Sequence, residues 1–184
     1  MHDIELLVRL KIPDVTALTA KNSLQRRMGY AHTLADLQRA DYWRLTLNVP
    51  DEEQALSLAT ELAEETNLFV NPNKHTYTLA PAGRRASAPA ESAREGSRGD
   101  VRPVEVLVTS PDDTTGADAC AALRGRLGYG DRVADVQRGT LWTLMIRAPD
   151  AESARRIAEE IAVTRRLDRG LLINPHYQHW RIIV

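Results

Sequence analysis

The chain has little of what usually announces chemistry. Among 184 residues there is one cysteine, Cys120, and aromatic residues make up 5%. A single thiol excludes an internal disulfide and a cysteine-based metal cluster within the chain. Lys and Arg number 24 against 25 Asp and Glu, a formal net charge of -1. That balance gives no field to draw in nucleic acid, a membrane surface or other polyanions. No apolar stretch approaches the ~20 residues of a membrane helix, and no basic region followed by an apolar run opens the chain. The expected setting is soluble and cytoplasmic.

Catalytic patterns are equally scarce. Gly125, Gly128 and Gly130 fall at a helix end rather than in a strand-to-helix turn, so they form no phosphate or dinucleotide loop. His176 and His179 are spaced for one helix face, but they follow Asn174-Pro175 and read as strand, where they point to opposite faces. Metal binding there is disfavoured. Cys120 sits among alanines with nothing basic to lower its pKa, which suits a packing residue better than a nucleophile. The carboxylates Glu52 and Glu53 suit a helix start, and Glu64 and Glu65 a solvated helix end.

What the chain does have is a repeat. Met28-Gly29-Tyr30 returns 99 residues later as Leu127-Gly128-Tyr129, and Ala35-Asp36-Leu37-Gln38-Arg39 as Ala134-Asp135-Val136-Gln137-Arg138. Trp43 returns as Trp142 and Pro50-Asp51 as Pro149-Asp150, while Asn71-Pro72 matches Asn174-Pro175 at a slightly longer offset. Such spacing across apolar, turn and capping positions marks duplication of a whole unit. Two copies are too few for a solenoid. The expectation is two small domains, residues 1–80 and 104–184, each folding by itself and then packing against its twin. Residues 81–103 are small, polar and rich in Ala, Ser, Gly and Arg. They read as a flexible linker with a reach of about 25–30 Å.

Hydrophobic periodicity changes in the same order within both copies. Ile4, Leu6, Val8 and Leu10 alternate as a strand, as do Val104, Val106 and Val108. Leu18, Leu24 and Met28 lie near helical spacing, as do Cys120, Leu123 and Leu127, and each run stops at Gly29 or Gly128. Two strands follow, with a hairpin turn expected near Ala40-Asp41 and Gly139-Thr140. A second helix opens at Asp51, with Gln54 placed for a capping box, or at Asp150. A last strand carries Tyr77 and Leu79, or Trp180 and Ile182. The order β-α-β-β-α-β is a ferredoxin-like α+β layout, with two helices on one face of a four-stranded antiparallel sheet. Leu7, Tyr42, Leu107, Leu141 and Met145 fall on the other face, which a copy-to-copy sheet interface would cover.

Each copy resembles the PurS family, the small subunit of phosphoribosylformylglycinamidine synthase. The matching residues run from Ile4-Glu-Leu-Leu-Val-Arg-Leu-Lys11 through Leu24-Gln-Arg-Arg-Met-Gly-Tyr30 and Leu37-Gln-Arg39. They continue to Pro50-Asp51-Glu52-Glu53-Gln54-Ala55 and Asn71-Pro72. Val104-Glu-Val-Leu-Val108, Leu123-Arg-Gly-Arg-Leu-Gly-Tyr129, Ala134-Asp-Val-Gln-Arg-Gly139 and Asn174-Pro175 repeat them. The resemblance implies two tandem PurS-like domains forming an intrachain pseudo-dimer. It also implies a role that is not itself catalytic: joining an ATP-dependent synthetase (PurL-like) subunit to a glutaminase (PurQ-like) subunit and supporting ammonia transfer in purine biosynthesis. ATP, Mg and glutamine would be used by those partners, with no cofactor in this chain.

Arg39, Asp41, Arg44, Asn71, Pro72, Arg138, Asn174 and Pro175 are the candidate partner-interface residues. The retained Gln-Arg and Asn-Pro pairs serve either turn chemistry or docking. The family commonly places a basic residue at the hairpin turn and an acidic one shortly after it. Here Asp41 and Arg44 stand in the first copy, Thr140 and Thr143 in the second, a change that disfavours the ordinary partner. The alternatives are the same scaffold in a diverged ATP-dependent amide ligase of specialised metabolism, a tandem ligand-sensing module, and a stand-alone enzyme. Further homo-oligomerisation is compatible with all of them.

Overall fold

The computed structural model describes residues 1–84, 101–164 and 170–183. In chain order the elements are β1 (His2–Leu10), α1 (Val15–Arg27), β2 (Leu34–Leu47), α2 (Glu52–Glu65) and β3 (His75–Pro81). They continue with β4 (Val101–Thr109), α3 (Thr114–Arg124), β5 (Val133–Arg147), α4 (Ala151–Ala162) and β6 (His179–Ile183). The strands are ordered β3-β1-β2-β5-β4-β6. The predicted α+β class is therefore present. β3 reaches Pro81 and β4 begins at Val101, so strand occupies both ends of the expected linker. Its middle, residues 85–100, lies outside the described residues.

Local chemistry explains the helix boundaries. Asp14 opens α1 by accepting from the amides of Thr16 and Ala17 at 2.8 and 3.1 Å. Asp51 and Asp150 do the same for α2 and α4, accepting from Gln54 at 2.8 Å and Ser153 at 2.7 Å. Such caps satisfy amides that the helix itself leaves without partners. The Gln54 side chain turns back to the Asp51 carboxylate at 2.8 Å rather than to its amide, a variant of the expected box. Gly29 and Gly128 lie beyond the ends of α1 and α3 at φ 80° and 75°, a conformation that favours glycine.

Two expectations need correction. No hairpin turn interrupts residues 34–47 or 133–147; each is one continuous strand. A two-residue turn of the favoured kind needs positive φ, and Ala40 is a poor carrier of it. Gly139 could adopt it but does not. The chain runs straight on, and β2 lies beside β5 of the other copy.

The compact units are accordingly not the sequence copies. One comprises Met1–Ile12, residues 40–84 and Asp112–Gly139. It holds β1, β3, α2 and the second half of β2 from the first copy, with α3 and the first half of β5 from the second. Its strand order is β3-β1-β2-β5. Ile4 faces Leu45 and Leu6 faces Trp43 across β1 and β2, while Val8 faces Tyr77 across β1 and β3. The Asn48 amide donates to the Arg132 carbonyl at 2.8 Å, where β2 meets β5. The core joins Ile4, Leu6, Trp43, Leu45, Leu58 and Leu62 to Leu123, Val133 and Val136. Helix α3 comes so close to β5 that a methyl on Gly116 would lie 2.5 Å from the Val136 carbonyl.

The other unit comprises Pro13–Arg39, residues 101–111 and the described part of Thr140–Val184. Its strand order is β2-β5-β4-β6. Val106 faces Ile182 and Val108 faces Trp180. The Arg147 amide donates to the Thr33 carbonyl at 2.8 Å, the counterpart of the Asn48 bond. Here Ala17 and Leu24 of α1 and Leu34 and Leu37 of β2 share a core with Val104, Val106, Trp142, Leu144, Ala158 and Ile161. Among the described residues each unit thus has four strands and two helices, compatible with a ferredoxin-like layout, but takes one helix and half a strand from the other copy.

The helical run of the first copy also needs adjustment. Leu24 is fully buried, whereas Leu18 is 45% exposed. Six residues at 100° each turn Leu18 about a third of a revolution away from Leu24. On the sheet, Leu7, Tyr42, Leu107, Leu141 and Met145 are all buried, at 0 to 8% exposure.

Candidate functional site

The eight candidate residues fall into two structural roles. Arg39, Asp41 and Arg44 lie on β2, and Arg138 on β5. Arg39 belongs to the second unit, where its Nε donates to Asp14 Oδ2 at 2.9 Å. One carboxylate therefore caps α1 and holds β2. In the first unit Asp113 occupies the equivalent place in α3. It accepts from the Gly116 amide at 2.9 Å and from the Arg138 backbone amide at 2.5 Å. Because the backbone makes that bond, the Arg138 guanidinium reaches Asp41 at 3.5 Å and lies 5.7 Å from the centre of the Trp43 ring. Arg44 donates to Asp3, which also accepts from the Thr46 hydroxyl at 2.7 Å.

Electrostatics follow from these contacts. Burial opposes ionisation of Asp14, but the Arg39 hydrogen bond, the Ala17 and Thr16 amides and the Arg39 charge outweigh it, leaving its pKa below the usual value. Asp3 behaves alike: burial raises its pKa, and the bonds from Arg44 and Thr46 with the Arg44 charge bring it lower overall. A carboxylate whose folded pKa is depressed stabilises the fold above its unfolded value and loses that contribution as pH falls through the folded pKa. Urea midpoints should therefore fall as pH drops below about 4, the ordinary carboxylate value. In Asp14→Asn, which keeps a capping oxygen but no charge, that decline should be shallower. Asp14→Ala should in addition lose about 1 kcal/mol near neutrality by removing the cap.

Asn71 and Asn174 form the same turn in both copies. The Asn71 Oδ1 accepts from the Asn73 amide at 3.0 Å, and the Asn174 Oδ1 from the His176 amide at 3.1 Å. Each asparagine amide then donates to the side chain four residues on, His75 Nδ1 at 3.1 Å or Gln178 Oε1 at 2.8 Å. Pro72 follows Asn71 in the turn, and its carbonyl takes the Lys11 ammonium at 2.6 Å. Pro175 occupies the matching place. These bonds give the retained Asn-Pro pairs a folding role, as the Asp ties do for Arg39, Arg44 and Arg138.

Asp41, Arg44, Arg138, Asn71 and Pro72 belong to one unit, Arg39, Asn174 and Pro175 to the other. Sequence reasoning passed over Asp14 and Asp113, although they recur at the same offset of 99 as their partners Arg39 and Arg138. It also passed over Glu5, which is 4% exposed and accepts from the Tyr42 hydroxyl at 3.1 Å. No periodicity argument separates such a buried carboxylate from an outward-facing one. Among the described residues no group of three His, Cys, Asp or Glu side chains is placed to hold a metal ion. Among them, too, no helix is long and apolar enough to cross a membrane. Set against known proteins, the chain matches no family model and no curated protein.

Proposed function

We propose that this chain is a non-catalytic bridging subunit of a glutamine-dependent, ATP-dependent ligase of the phosphoribosylformylglycinamidine synthase type. Two fused PurS-like copies would serve as an intrachain pseudo-dimer between a synthetase and a glutaminase in the cytoplasm. The observation that carries this reading is the exchange of α1 and α3, each with half a strand, between the copies. A duplicated chain built in this way does not part into its two sequence copies without dismantling both cores. The ordered motifs of the PurS resemblance support the same reading. ATP, Mg and glutamine would belong to the partner subunits.

The test reconstitutes the synthetase and glutaminase with and without the chain. Glutamine-driven synthesis should fall by about tenfold or more without it, an effect of at least ~1.4 kcal/mol on the barrier. Ammonia-driven synthesis should change far less. Equal glutamine-driven rates in both mixtures would contradict the proposal. A diverged amide ligase of specialised metabolism is the second reading. It is favoured by Asp41 and Arg44, whose charges oppose the family pattern and pair internally with Arg138 and Asp3. Under that reading the same assay responds with a different amide substrate.

A further inference from the structure

The two copies differ sharply along the outer stripe of their first helix. On α1 the stripe opposite Ala17 and Leu24 carries Val15, Leu18, Asn22 and Arg26, rising about 16 Å along the axis. Val15 is 72% and Leu18 45% exposed. α1 contains no Asp or Glu, and Arg26 and Arg27 stand exposed in its last turn. Neither arginine has a carboxylate partner among the described residues, whereas Lys21 is held by Asp36 at 2.6 Å. The matching positions of the second copy are Thr114, Ala117, Ala121 and Gly125, small and uncharged, while Arg27 is matched by the exposed Arg126. Duplication supplied two equivalent stripes, and one of them now joins an apolar end to a basic end.

We infer that the outer stripe of α1 is a docking surface, one per chain, for an acidic amphipathic helix of a partner protein. The apolar side of such a helix covers Val15 and Leu18, and its carboxylates pair with Arg26 and Arg27. A membrane is a poorer occupant, because two aliphatic side chains without an aromatic anchor bury little in an interface. A second copy of this chain offers acidic α2. The exposed positions of that helix, including Glu53, Ser57, Glu61 and Glu64, give Val15 and Leu18 nothing apolar to meet. The inference goes beyond the bridging proposal, and its test uses no synthetase or glutaminase.

The probe is a synthetic peptide of about 18 residues with Leu at helical i, i+3, i+4 and i+7 spacing and Glu elsewhere. A scrambled isomer, phosphatidylserine vesicles and the chain's own self-association are measured alongside. The amphipathic isomer should bind the full chain at least about tenfold tighter than the scramble and weaken as salt rises. Paired Val15→Ser and Leu18→Ser changes, and separately Arg26→Glu with Arg27→Glu, should each remove about tenfold or more of that binding. Leu127→Ser, which removes an exposed leucine elsewhere, should leave it unchanged. Absence of peptide binding, equal binding of the two isomers, or binding that survives both double changes overturns the inference. So does stronger binding to vesicles, or self-association that is lost with Val15 and Leu18.

Discussion

Leu123→Ala is expected to destabilise the protein by about 2–5 kcal/mol, the range for emptying a buried leucine site. Its structural effect should appear mainly in the other sequence copy. Leu123 is fully buried on α3, and its core neighbours are Ile4, Leu6, Trp43, Leu45 and Leu62, residues of the first copy. Amide shifts in β1 and α2 should move most, with those of β4 and α4 moving least. Leu24→Ala gives the mirror experiment. Leu24 is also fully buried, but it shares a core with Val104, Val106, Leu144 and Ile161 of the second copy. If each helix instead packed within its own copy, the two substitutions would exchange their maps. Two-dimensional amide spectra with urea midpoints read both the place and the size of the effect.

That crossing could not be read from the residues, for a definite reason. Periodicity reports which face of a strand is buried, and Ile4, Leu6 and Val8, which alternate along β1, all join one core. It does not report which strand lies alongside. Leu34-Ala-Asp-Leu37 and Val133-Ala-Asp-Val136 have the same pattern, so either could pair with the strand that follows in its own copy. The decision falls to residues 40–41 and 139–140, where the chain must either reverse or continue. Ala40-Asp41 contains no glycine, the residue that tight reversals favour.

Helix caps were legible at Asp51 and Asp150, because they stand directly before an apolar helical run. The acid ties at Asp14 and Asp113 were not singled out, since each joins a cap to a strand 25 residues later. The Gln-Arg and Asn-Pro pairs were visible as retained. Their bonding to Asp14, Asp113, His75 and Gln178 depends on distances that a one-dimensional pattern does not contain. Leu18, Leu24 and Met28 lie near helical spacing, but the angle of Leu18 on the helix places it outside the core.

Cutting the chain between residues 84 and 101 should have almost no effect on its integrity. Separating the halves would strip Leu123, Val133 and Val136 from one core and Leu24, Leu34 and Leu37 from the other. At about 1.5–3 kcal/mol for each such side chain, the loss is on the order of 10 kcal/mol, comparable to the whole stability of an ordinary domain. The broken strand pairing between β2 and β5 adds to it. Unfolding and parting should therefore coincide, and the cleaved protein should acquire a concentration-dependent midpoint that the intact chain lacks.

A protease site engineered within residues 85–100, followed by native mass measurement and light scattering of the cleaved product, tests the crossed architecture most directly. The two fragments should travel as a single folded particle close to the intact mass of 20.5 kDa and separate only in denaturant. Two independently folded particles, each of roughly half that mass, would contradict the exchange and remove the main support for a fused scaffold.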